Sequence, residues 1–528
     1  MGEDLYELPK GWVWVTSSEV CSSVRDGTHD TPKYVEQGIP LITSKNLKEN
    51  GLDFSTAKNI SLEDHQNISV RSEVDKGDIL FAMIGTIGNP VIVRTDKVFS
   101  IKNVGLFKKN ELVINSYYLK YWLSCIVFQK LIENKEFVKG TTQKFIPLGH
   151  LRIIDIPLPP LPEQHRIVAE IEELFTQLDA GVELLKKVKA KLKRYRQAVL
   201  KAAVEGNLTK EWRTAHQGEL EPASVLLECI LKQRREKWEA EQLAKMQAQA
   251  KTPKDDSWKL KYKEAIAPDT SDLPDLPNGW CWASLEELSW DSRYGTSEKC
   301  DYNFSGSPVL RIPNIVDGSI VLDNLKYAAN DNKLDAIEPL AYGDLLIIRT
   351  NGSKELIGRV ALVTQTYDYP YFFASYLIRF RLISIDILPI LVNKIWNIFR
   401  ILTWIETRTA TSAGQHNISQ TVLNKLPLEV PSLLEQKKII EEIERIVSVI
   451  DQLEKTININ IKRAERLRQS ILKQAFTGQL VAQDPSDEPA EKLLERIKAE
   501  KAKQVTTKTK KKTKSQPQSP TQLALPLD

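Results

Sequence analysis

Polar side chains suited to nucleic-acid recognition are concentrated in three turn-rich stretches of the chain. Residues 25–34 combine Arg, Thr, His, Lys and Tyr, residues 140–144 read Gly-Thr-Thr-Gln-Lys, and residues 411–417 read Thr-Ser-Ala-Gly-Gln-His-Asn. Arg and Lys donate to guanine and to phosphates, whereas Asn and Gln match the major-groove edge of adenine. The stretches predict contact with base edges or phosphates, against the alternative that they are ordinary solvated turns.

Candidate contacts of this kind occur in both halves of the chain. In the first half they are Arg25, Thr28, His29, Thr31, Lys33, Lys45, Asn46, Thr141, Thr142, Gln143 and Lys144. In the second half they are Arg293, Tyr294, Arg311, Asn314, Arg349, Asn351, Arg408, Gln415, His416 and Asn417. We expect each stretch to contribute as a whole.

Motifs for catalysis are absent from the sequence. It contains no G-x-x-x-x-G-K-[ST] loop, no H-E-x-x-H, no G-x-S-x-G and no G-x-G-x-x-G. The six histidines show no paired spacing for a metal, and Gly85 to Pro90 fits a strand turn better than a cofactor loop. We therefore predict a protein with no catalytic residue, no metal site and no cofactor of its own.

Composition favours a globular chain of several domains in the cytoplasm. Its 528 residues are 42% hydrophobic, enough for three or four packed domains. The five cysteines are scattered without a C-x-x-C pair, which is typical of reduced thiols. The apolar run 382–405 is interrupted by charges and proline, so we expect no membrane span. A net charge of +4 permits nucleic-acid binding without requiring it.

The chain is internally duplicated. Leu8-Pro-Lys-Gly-Trp12 returns as Leu276-Pro-Asn-Gly-Trp280, and residues 143–208 return without a gap as 415–480, with 20 of 66 positions identical. A turn and buried strand at 76–85 likewise return at 342–349. Stretches 55–140 and 323–410 barely align. The period is a whole domain, so we infer duplication of a large module.

A sustained heptad pattern predicts two long helices that pair as a coiled coil. Ser432 to Glu435 matches a capping box, and Gly206 and Gly478 stand where helix ends are expected. A helix over 163–205 would be roughly 65 Å long. The predicted seam of the first helix is Ile167, Ile171, Leu174, Leu178, Gly181, Leu185, Val188, Leu192, Tyr195, Val199 and Ala202. That of the second is Ile439, Ile443, Ile446, Ile450, Leu453, Ile457, Asn460, Ala464, Leu467, Ile471 and Gln474.

These signals predict duplicated α/β (α+β) domains separated by two long helices that pair as a coiled coil. We expect domains at 1–158 and 276–430, helices within 159–206 and 431–480, a charged helix and linker at 207–275, and a short helix with a disordered basic tail at 481–528. The first long helix carries a basic run at 186–201. It could attract phosphates, but we favour a solvated outer face or a partner interface.

With the duplication and the heptads, residues 156–167 (Ile-Pro-Leu-Pro-Pro-Leu-Pro-Glu-Gln-His-Arg-Ile) resemble the specificity subunit of a type I restriction-modification system. The resemblance covers nearly the whole chain. Its motifs, Leu-Pro-x-Gly-Trp, Asp26-Gly-Thr-His, Lys76-Gly-Asp and Leu161-Pro-Glu-Gln, are each short, but their order and duplication are specific.

The resemblance implies a non-catalytic subunit. Each variable domain would read one half of a split, asymmetric target in double-stranded DNA, and the antiparallel helices would hold the two domains apart. Two methyltransferase subunits that bind S-adenosylmethionine, and restriction-motor subunits that use ATP and Mg²⁺, would be recruited. The implied partner-facing residues are Glu163, Gln164, Ile167, Glu435, Gln436 and Ile439. The second copy lacks the Pro-rich pattern, which leaves open whether the two docking sites are equally strong.

Two other functions are consistent with parts of the sequence. A coiled-coil scaffold with two protein-binding domains would leave the same helices but no DNA role. It would be favoured if the surfaces around residues 25–34 and 412–417 were acidic or buried. A hydrolase with unfamiliar motifs would need polar side chains that converge in a deep pocket.

Overall fold

The computed structural model describes residues 6–133, 137–140, 142–251, 253, 255–334, 337–383 and 387–499. The chain forms two compact units. Unit 1 comprises residues 1–185 and 458–528, and unit 2 comprises residues 186–457. The predicted basic tail and candidate Thr141 lie outside the described residues.

Unit 1 contains twelve strands among its described residues. They are β1 Val13–Thr16, β2 Val24–Asp26, β3 Tyr34–Val35, β4 Ile39–Ile42, β5 Leu47–Lys48, β6 Gly51–Leu52, β7 Lys58–Ile60, β8 Ile79–Ala82, β9 Gly88–Ile92, β10 Ser100–Ile101, β11 Val104–Phe107 and β12 Asp155–Leu158. Its helices are α1 Ser17–Val20, α2 Leu62–Ser72, α3 Ser116–Ser124, α4 Ile126–Glu133, α5 Leu148–Arg152 and the first part of α6 Leu161–Val204.

Unit 2 has a related but not identical order of elements, with fifteen strands among its described residues. Its strands are β13 Cys281–Ser284, β14 Ser289–Tyr294, β15 Cys300–Asp301, β16 Pro308–Leu310, β17 Ile315–Val316, β18 Gly318–Ile320, β19 Lys326–Ala328, β20 Asp344–Ile348, β21 Thr350–Asn351, β22 Val360–Leu362, β23 Phe372–Phe373, β24 Leu377–Leu382, β25 Ala410–Ser412, β26 Gln415–Asn417 and β27 Pro427–Val430. Its other elements are α7 Lys210–Ala215, α8 Ala223–Ala248, α9 Leu388–Ile395, α10 Phe399–Thr407, α11 Gln420–Asn424 and the first part of α12 Leu433–Phe476.

Two four-stranded sheets form the body of unit 1. One has the antiparallel order β2-β11-β8-β9, and the other has the order β10-β4-β7-β3 with β10 parallel to β4. The strand predicted after Lys76-Gly-Asp is β8, buried at all four positions. Phe81 on that strand packs edge-on against Phe107 and Phe128, so the core lies between the first sheet and the helices.

Unit 2 is built around a six-stranded sheet of order β14-β24-β20-β22-β18-β17. Its four-stranded sheet, β15-β19-β16-β23, again contains one parallel pair, β16 with β23. The guanidinium of Arg379 on β24 is fully buried and donates to both carboxylate oxygens of Asp291, at 2.7 and 2.8 Å. This pairing offsets the cost of burying a charge in the sheet.

In each unit a two-stranded ribbon pairs the strand that follows the Leu-Pro-x-Gly-Trp motif with the strand that precedes a long helix. Val13 pairs with Leu158 in unit 1, and Cys281 pairs with Val430 in the same antiparallel register in unit 2. Helix α6 begins at Leu161, two residues before the predicted start, because Pro162 lies in its first turn, where proline has no backbone bond to lose. The ribbons therefore fix the helix starts.

The two long helices run antiparallel within each unit. In unit 1 Arg468 of α12 donates to Asp179 of α6, and in unit 2 Arg196 of α6 donates to Asp451 of α12. The duplicated α/β domains with paired antiparallel helices confirm the predicted fold class. The predicted seam is only partly buried: Ile167, Ile171, Val199, Ile439, Ile443, Ile450, Ile457 and Ile471 are buried, whereas Gly181, Val188, Tyr195, Leu453, Leu467 and Gln474 are exposed.

The helix ends follow the predicted signals in part. Gly206 and Gly478 adopt positive φ of 67° and 69°, and each helix closes with the paired backbone bonds of a Schellman motif. Only half of the predicted capping box forms. The Ser432 hydroxyl accepts from the N–H of Glu435, but the Glu435 carboxylate bonds to other side chains.

A second charged helix follows each long helix, as expected within 207–275 and 481–528, and each starts at the alanine of a repeated Glu-Pro-Ala motif, at 221–223 and 488–490. Helix α8 starts at Ala223 in unit 2, and a helix over 490–499 starts at Ala490 in unit 1. The N–H of Ala223 donates to Gly279 O, and that of Ala490 donates to Gly11 O, at 2.8 and 3.0 Å. Among the described helices, none combines the length and apolar character needed to cross a membrane.

Candidate nucleic-acid interface

The loop that follows β2 in unit 1 is fixed to the sheet at its glycine. A Cβ on Gly27 would lie 2.3 Å from the carbonyl oxygen of Ile101, so only glycine fits there. The N–H of Thr28 donates to the same carbonyl at 3.0 Å. This close approach holds the residues that follow, His29 first, at the end of the sheet.

His29 belongs to a cluster of polar side chains around a buried carboxylate. Asp26, 3% exposed in its side chain, accepts from Arg71 and lies 2.8 Å from Nε2 of His29. The other ring nitrogen, Nδ1, lies 2.9 Å from Asn103 Oδ1. The structure thus combines the predicted His29 with Arg71 and Asn103, which sequence reasoning missed because they lie 42 and 74 residues later.

The remaining candidates of this loop region are exposed cations and a hydroxyl. Arg25, Lys33 and Lys45 are exposed. The Thr31 hydroxyl accepts from Nζ of Lys102, which lies next to β10. These side chains are available to a ligand, although their contact with DNA stays a prediction.

Unit 2 has the same loop with different side chains. A Cβ on Gly295 would lie 2.1 Å from Phe373 O, and the N–H of Thr296 donates to that oxygen at 2.8 Å. The residue before the glycine is Tyr294 where unit 1 has Asp26. The Tyr294 hydroxyl accepts from the N–H of Gln420 at 3.0 Å. The backbone contacts of the loop are therefore the same in both units, but the side chains that the loop carries differ.

The Gln-containing stretches form a hairpin or turn in each unit. In unit 1 Lys139 and Phe145 exchange backbone hydrogen bonds around the exposed Thr142, Gln143 and Lys144. In unit 2 β25 and β26 are joined by Ala413 and Gly414, both with positive φ, as a tight hairpin turn requires. Gln415 is exposed beside this turn.

Each hairpin docks at an equivalent place in its unit. Phe145 bridges to Ile84, just after β8, and Asn417 and His416 pair with Thr350 and Asn351 of β21, just after β20. The equivalence expected from sequence for residues 140–144 and 411–417 therefore matches their positions in the two folds.

A surface cleft of about 390 Å³ lies beside the unit 2 hairpin. Arg349 is one of its lining residues: Nε and Nη2 donate to Asn417 Oδ1 at 3.2 and 3.1 Å, and the guanidinium lies 4.5 Å from the Tyr294 ring centroid. The two predicted contacts Arg349 and Asn417 thus bind each other. Exposed Ser412, Gln415 and Tyr376 are the lining side chains left to meet a ligand.

Two predicted contacts, Asn46 and Asn314, lie inside the fold. They are 3% and 1% exposed. Each amide oxygen accepts the backbone N–H three residues earlier, and each amide nitrogen donates to loop carbonyls, such as Asp53 O and Val321 O. Their polar atoms are occupied in shaping equivalent loops, so we place both asparagines outside the candidate surface.

Three other predicted arginines are held by intramolecular contacts. Arg311 donates to Asn324 O at 2.8 Å, Arg293 donates to Asp291 at 2.9 Å, and the Arg408 guanidinium lies 4.4 Å from the centroid of its neighbour Trp404. Arg293 and Arg408 remain exposed, so a ligand can still reach them.

The six predicted partner-facing residues at the helix starts are buried, at 0 to 2% exposure. Gln164 donates to Val113 O and Pro159 O and accepts from the Asn115 N–H. A partner cannot touch these side chains in this fold, so their predicted direct contact is wrong. The exposed apolar residues at the helix starts are instead Pro162 in unit 1 and Leu433 and Leu434 in unit 2.

The duplicated tryptophan explains why the helix-start glutamates are buried. Trp12 donates from Nε1 to Glu163 at 3.1 Å, and Trp280 donates to Glu435 at 2.7 Å. Glu435 also accepts from Thr209 and from Arg213, at 2.7 and 2.8 Å. The repeat of Leu-Pro-x-Gly-Trp was the sequence signal for these contacts.

Unit 1 lacks the counterparts of those two extra donors. The segment between the long helix and the Glu-Pro-Ala motif is shorter after α12 than after α6, and among the described residues Oε1 of Glu163 has no hydrogen-bond partner. Burial consequently raises the pKa of Glu163, against a smaller lowering effect of the Trp12 hydrogen bond.

Comparison with known proteins assigns the chain to a family. Residues 9–194 and 291–463 match the sequence profile described as the type I restriction modification DNA specificity domain. These two matches cover well over half of the chain, and the chain belongs to this family.

Individual relatives span the same length. The chain is 26% identical over 526 residues to the type I restriction enzyme StySPI specificity subunit of Salmonella potsdam, covering 96% of this chain and 99% of that one. It is 25% identical over 518 residues to the EcoKI specificity subunit of Escherichia coli K12, covering 94% and 97%. A solved chain from a type I R-M system has a similar fold, with a TM-score of 0.59 at 18% identity, covering 90% of this chain and all of that one.

Proposed function

We propose that this chain is the DNA sequence-specificity subunit of a type I restriction-modification complex. Each unit reads one half of a bipartite, asymmetric target in double-stranded DNA. The chain performs no catalysis itself. The relatives that share its full length are named as specificity subunits of type I restriction enzymes, which supports this role.

One observation carries the proposal: both units hold the same loop and hairpin but present different side chains there. Gly27 and Gly295 fix equivalent loops, whereas Asp26 is replaced by Tyr294. After the strand that supports the hairpin, unit 1 has Met83 where unit 2 has Arg349. A shared scaffold with different polar groups suits two different half-sites, because sequence is read by side chains at base edges.

Partners supply the chemistry in this proposal. Two methyltransferase subunits hold S-adenosylmethionine, and restriction-motor subunits use ATP and Mg²⁺. The methyltransferases dock on the outer surface at the helix starts, where Leu433 and Leu434 are 43% and 46% exposed. In this proposal the complex acts on double-stranded DNA in the cytoplasm.

The test is to express the chain with its methyltransferase partner and to map methylated adenines in the host genome. We expect methylation at one split, asymmetric sequence that disappears when this chain is deleted. Purified complex should also bind that duplex far more tightly than a random duplex at physiological salt. Equal affinity for both, together with unchanged methylation after deletion, would favour the scaffold function instead.

A further inference from the structure

Each unit carries an exposed tyrosine with a lysine ammonium over its ring. Tyr34 is 41% exposed, and Nζ of Lys58 lies 4.4 Å from its ring centroid. Tyr302 is 55% exposed, and Nζ of Lys326 lies 4.9 Å from its centroid. A cation over an aromatic face is a recognised electrostatic attraction. Tyr34 ends the predicted stretch 25–34, whereas Lys58, Tyr302 and Lys326 were not among the predicted contacts.

The two lysines occupy the same position in the two folds. Lys58 begins β7 and Lys326 begins β19, each two residues before the buried residue that closes the strand. The tyrosines come from different register positions. Tyr34 is opposite Ile60 on β7, whereas Cys300 is opposite Ala328 on β19 and Tyr302 follows two residues later. The same pairing is thus reached by two different local backbones.

Lys58 and Lys326 lie in the stretches where the two halves of the chain barely align. In those stretches the side chains that could read bases differ between the units, so a shared feature must serve something common to both half-sites. The sugar-phosphate backbone is the part of DNA that is identical at every sequence.

We propose that the pairs Tyr34–Lys58 and Tyr302–Lys326 bind the DNA phosphate backbone, one pair in each half-site, independently of sequence. This inference rests on the proposed function. The ring restrains the lysine ammonium above its face, which reduces the conformational entropy lost when the ammonium binds a phosphate. In unit 2 the Arg311 guanidinium, 5.6 Å from the Tyr302 centroid, adds a second cation to the pair.

The test uses the full chain in complex with its methyltransferase, a random-sequence 40-bp duplex as the probe, and a salt series from about 50 to 200 mM. Lys58→Ala and Lys326→Ala should each reduce the slope of log affinity against log salt by about 0.9. Between the lowest and the highest salt, the fold loss of affinity should then be about three times smaller for each variant than for wild type. The methylated sequence should stay unchanged, and Lys58→Arg should keep the wild-type slope.

Matched controls exist in both units. Lys97 lies 4.6 Å from the Phe54 centroid in unit 1, and Lys237 lies 4.5 Å from the Trp290 centroid in unit 2. These pairs are not repeated between the units, so Lys97→Ala and Lys237→Ala should leave the slope unchanged. A change of slope there equal to that of Lys58→Ala would overturn the assignment.

The outcomes separate this inference from the proposed function. If wild type binds duplex with salt dependence but Lys58→Ala and Lys326→Ala keep its slope, the phosphate assignment is wrong and the specificity function stands. If either variant methylates a different sequence, that lysine reads bases, which also overturns the assignment. If wild type neither binds duplex at the lowest salt nor directs methylation, both ideas fail.

Discussion

At the residue scale, the two units differ most clearly in the donors that bind the carboxylate of a buried glutamate at the helix start. Glu435 accepts from Arg213 as well as from Trp280, and the side chains of Arg213 and Glu435 are 16% and 1% exposed. Glu163 has the tryptophan bond alone among the described residues, with Oε1 unsatisfied. The same carboxylate is thus stabilised in unit 2 and strained electrostatically in unit 1.

Replacing each glutamate by glutamine should therefore have opposite effects. Glu435→Gln leaves Arg213 buried without its counter-charge and should destabilise unit 2 by about 3 kcal/mol. Glu163→Gln removes an uncompensated buried charge and should stabilise unit 1 by about 1 kcal/mol at neutral pH. Hydrogen exchange followed by mass spectrometry reports each unit separately. A loss of similar size in both units would contradict this account.

The stabilisation of unit 1 by Glu163→Gln should depend on pH. The pKa of Glu163 in the folded protein is raised above the usual 4.5. The wild-type side chain therefore destabilises the fold only at pH values at which the same carboxyl is ionised in the unfolded chain. Wild-type stability is fully present below that value and falls as pH rises through the folded pKa. The advantage of Glu163→Gln should be near zero at about pH 4 and should grow toward pH 7. An advantage independent of pH would exclude the charge explanation.

The exposed glutamines are the sharpest test of independent reading. Gln415 lines the unit 2 cleft, and Gln143 occupies the equivalent turn in unit 1. Gln415→Ala should relax or alter one half of the methylated target and leave the other half intact, and Gln143→Ala should do the converse. A lost adenine contact should cost about 1–3 kcal/mol of discrimination at one base pair. Methylome sequencing measures both halves at once, and equal loss at both would argue against two independent readers.

At the element scale, the glycines that end the long helices are required by both backbone and packing. A Cβ on Gly206 would lie 2.5 Å from Pro277, and one on Gly478 would lie 2.3 Å from Pro9. Each proline belongs to a Leu-Pro-x-Gly-Trp motif, so the motif covers a helix end as well as binding a glutamate. This double use explains why the motif was retained in both copies.

Alanine at these glycines should be destabilising because φ is positive and the proline blocks the new methyl. We expect Gly206→Ala and Gly478→Ala to cost about 1–3 kcal/mol each. Gly181 in α6 provides the control: a methyl group added there would meet open space, so Gly181→Ala should stabilise by about 0.5–1 kcal/mol. Urea unfolding measures whether the free energy of unfolding of each variant is above or below that of wild type. A Gly478→Ala variant as stable as wild type would refute the packing argument.

The elements could be predicted from sequence where the signal is local. Heptads, cap glycines and the strand after Lys76-Gly-Asp gave α6, α12 and β8, because periodicity and turn chemistry act within a few residues. Burial of Glu163 and the Asp26–Arg71 pair could not be predicted, because both depend on residues distant in sequence. Loop polarity alone also failed at Asn46, since a polar side chain that shapes its own loop has the same sequence signature as one that binds a ligand.

At the scale of the whole molecule, α6 and α12 each belong to both units, so their length is the natural variable for target spacing. Inserting one heptad into α6 and one into α12 lengthens each helix by about 10.5 Å. We expect the gap between methylated half-sites to grow by about three base pairs, at 3.4 Å each. A single insertion in α6 alone should disrupt the pairing instead. An unchanged gap after the double insertion would show that helix length does not set the spacing of the half-sites.

Unit 1 is discontinuous in sequence, and this has a consequence for how the protein is made. Its core needs Phe476, whose ring packs 5.2 Å from those of Tyr118 and Trp122. About 270 residues, all of unit 2, are synthesised in between. At roughly 5–20 residues per second, the nascent first domain waits on the order of 15–50 s with this apolar surface uncovered. All residues of unit 2 are therefore synthesised before unit 1 is complete. Unit 1, whose residues leave the ribosome first, is the last unit to complete its core.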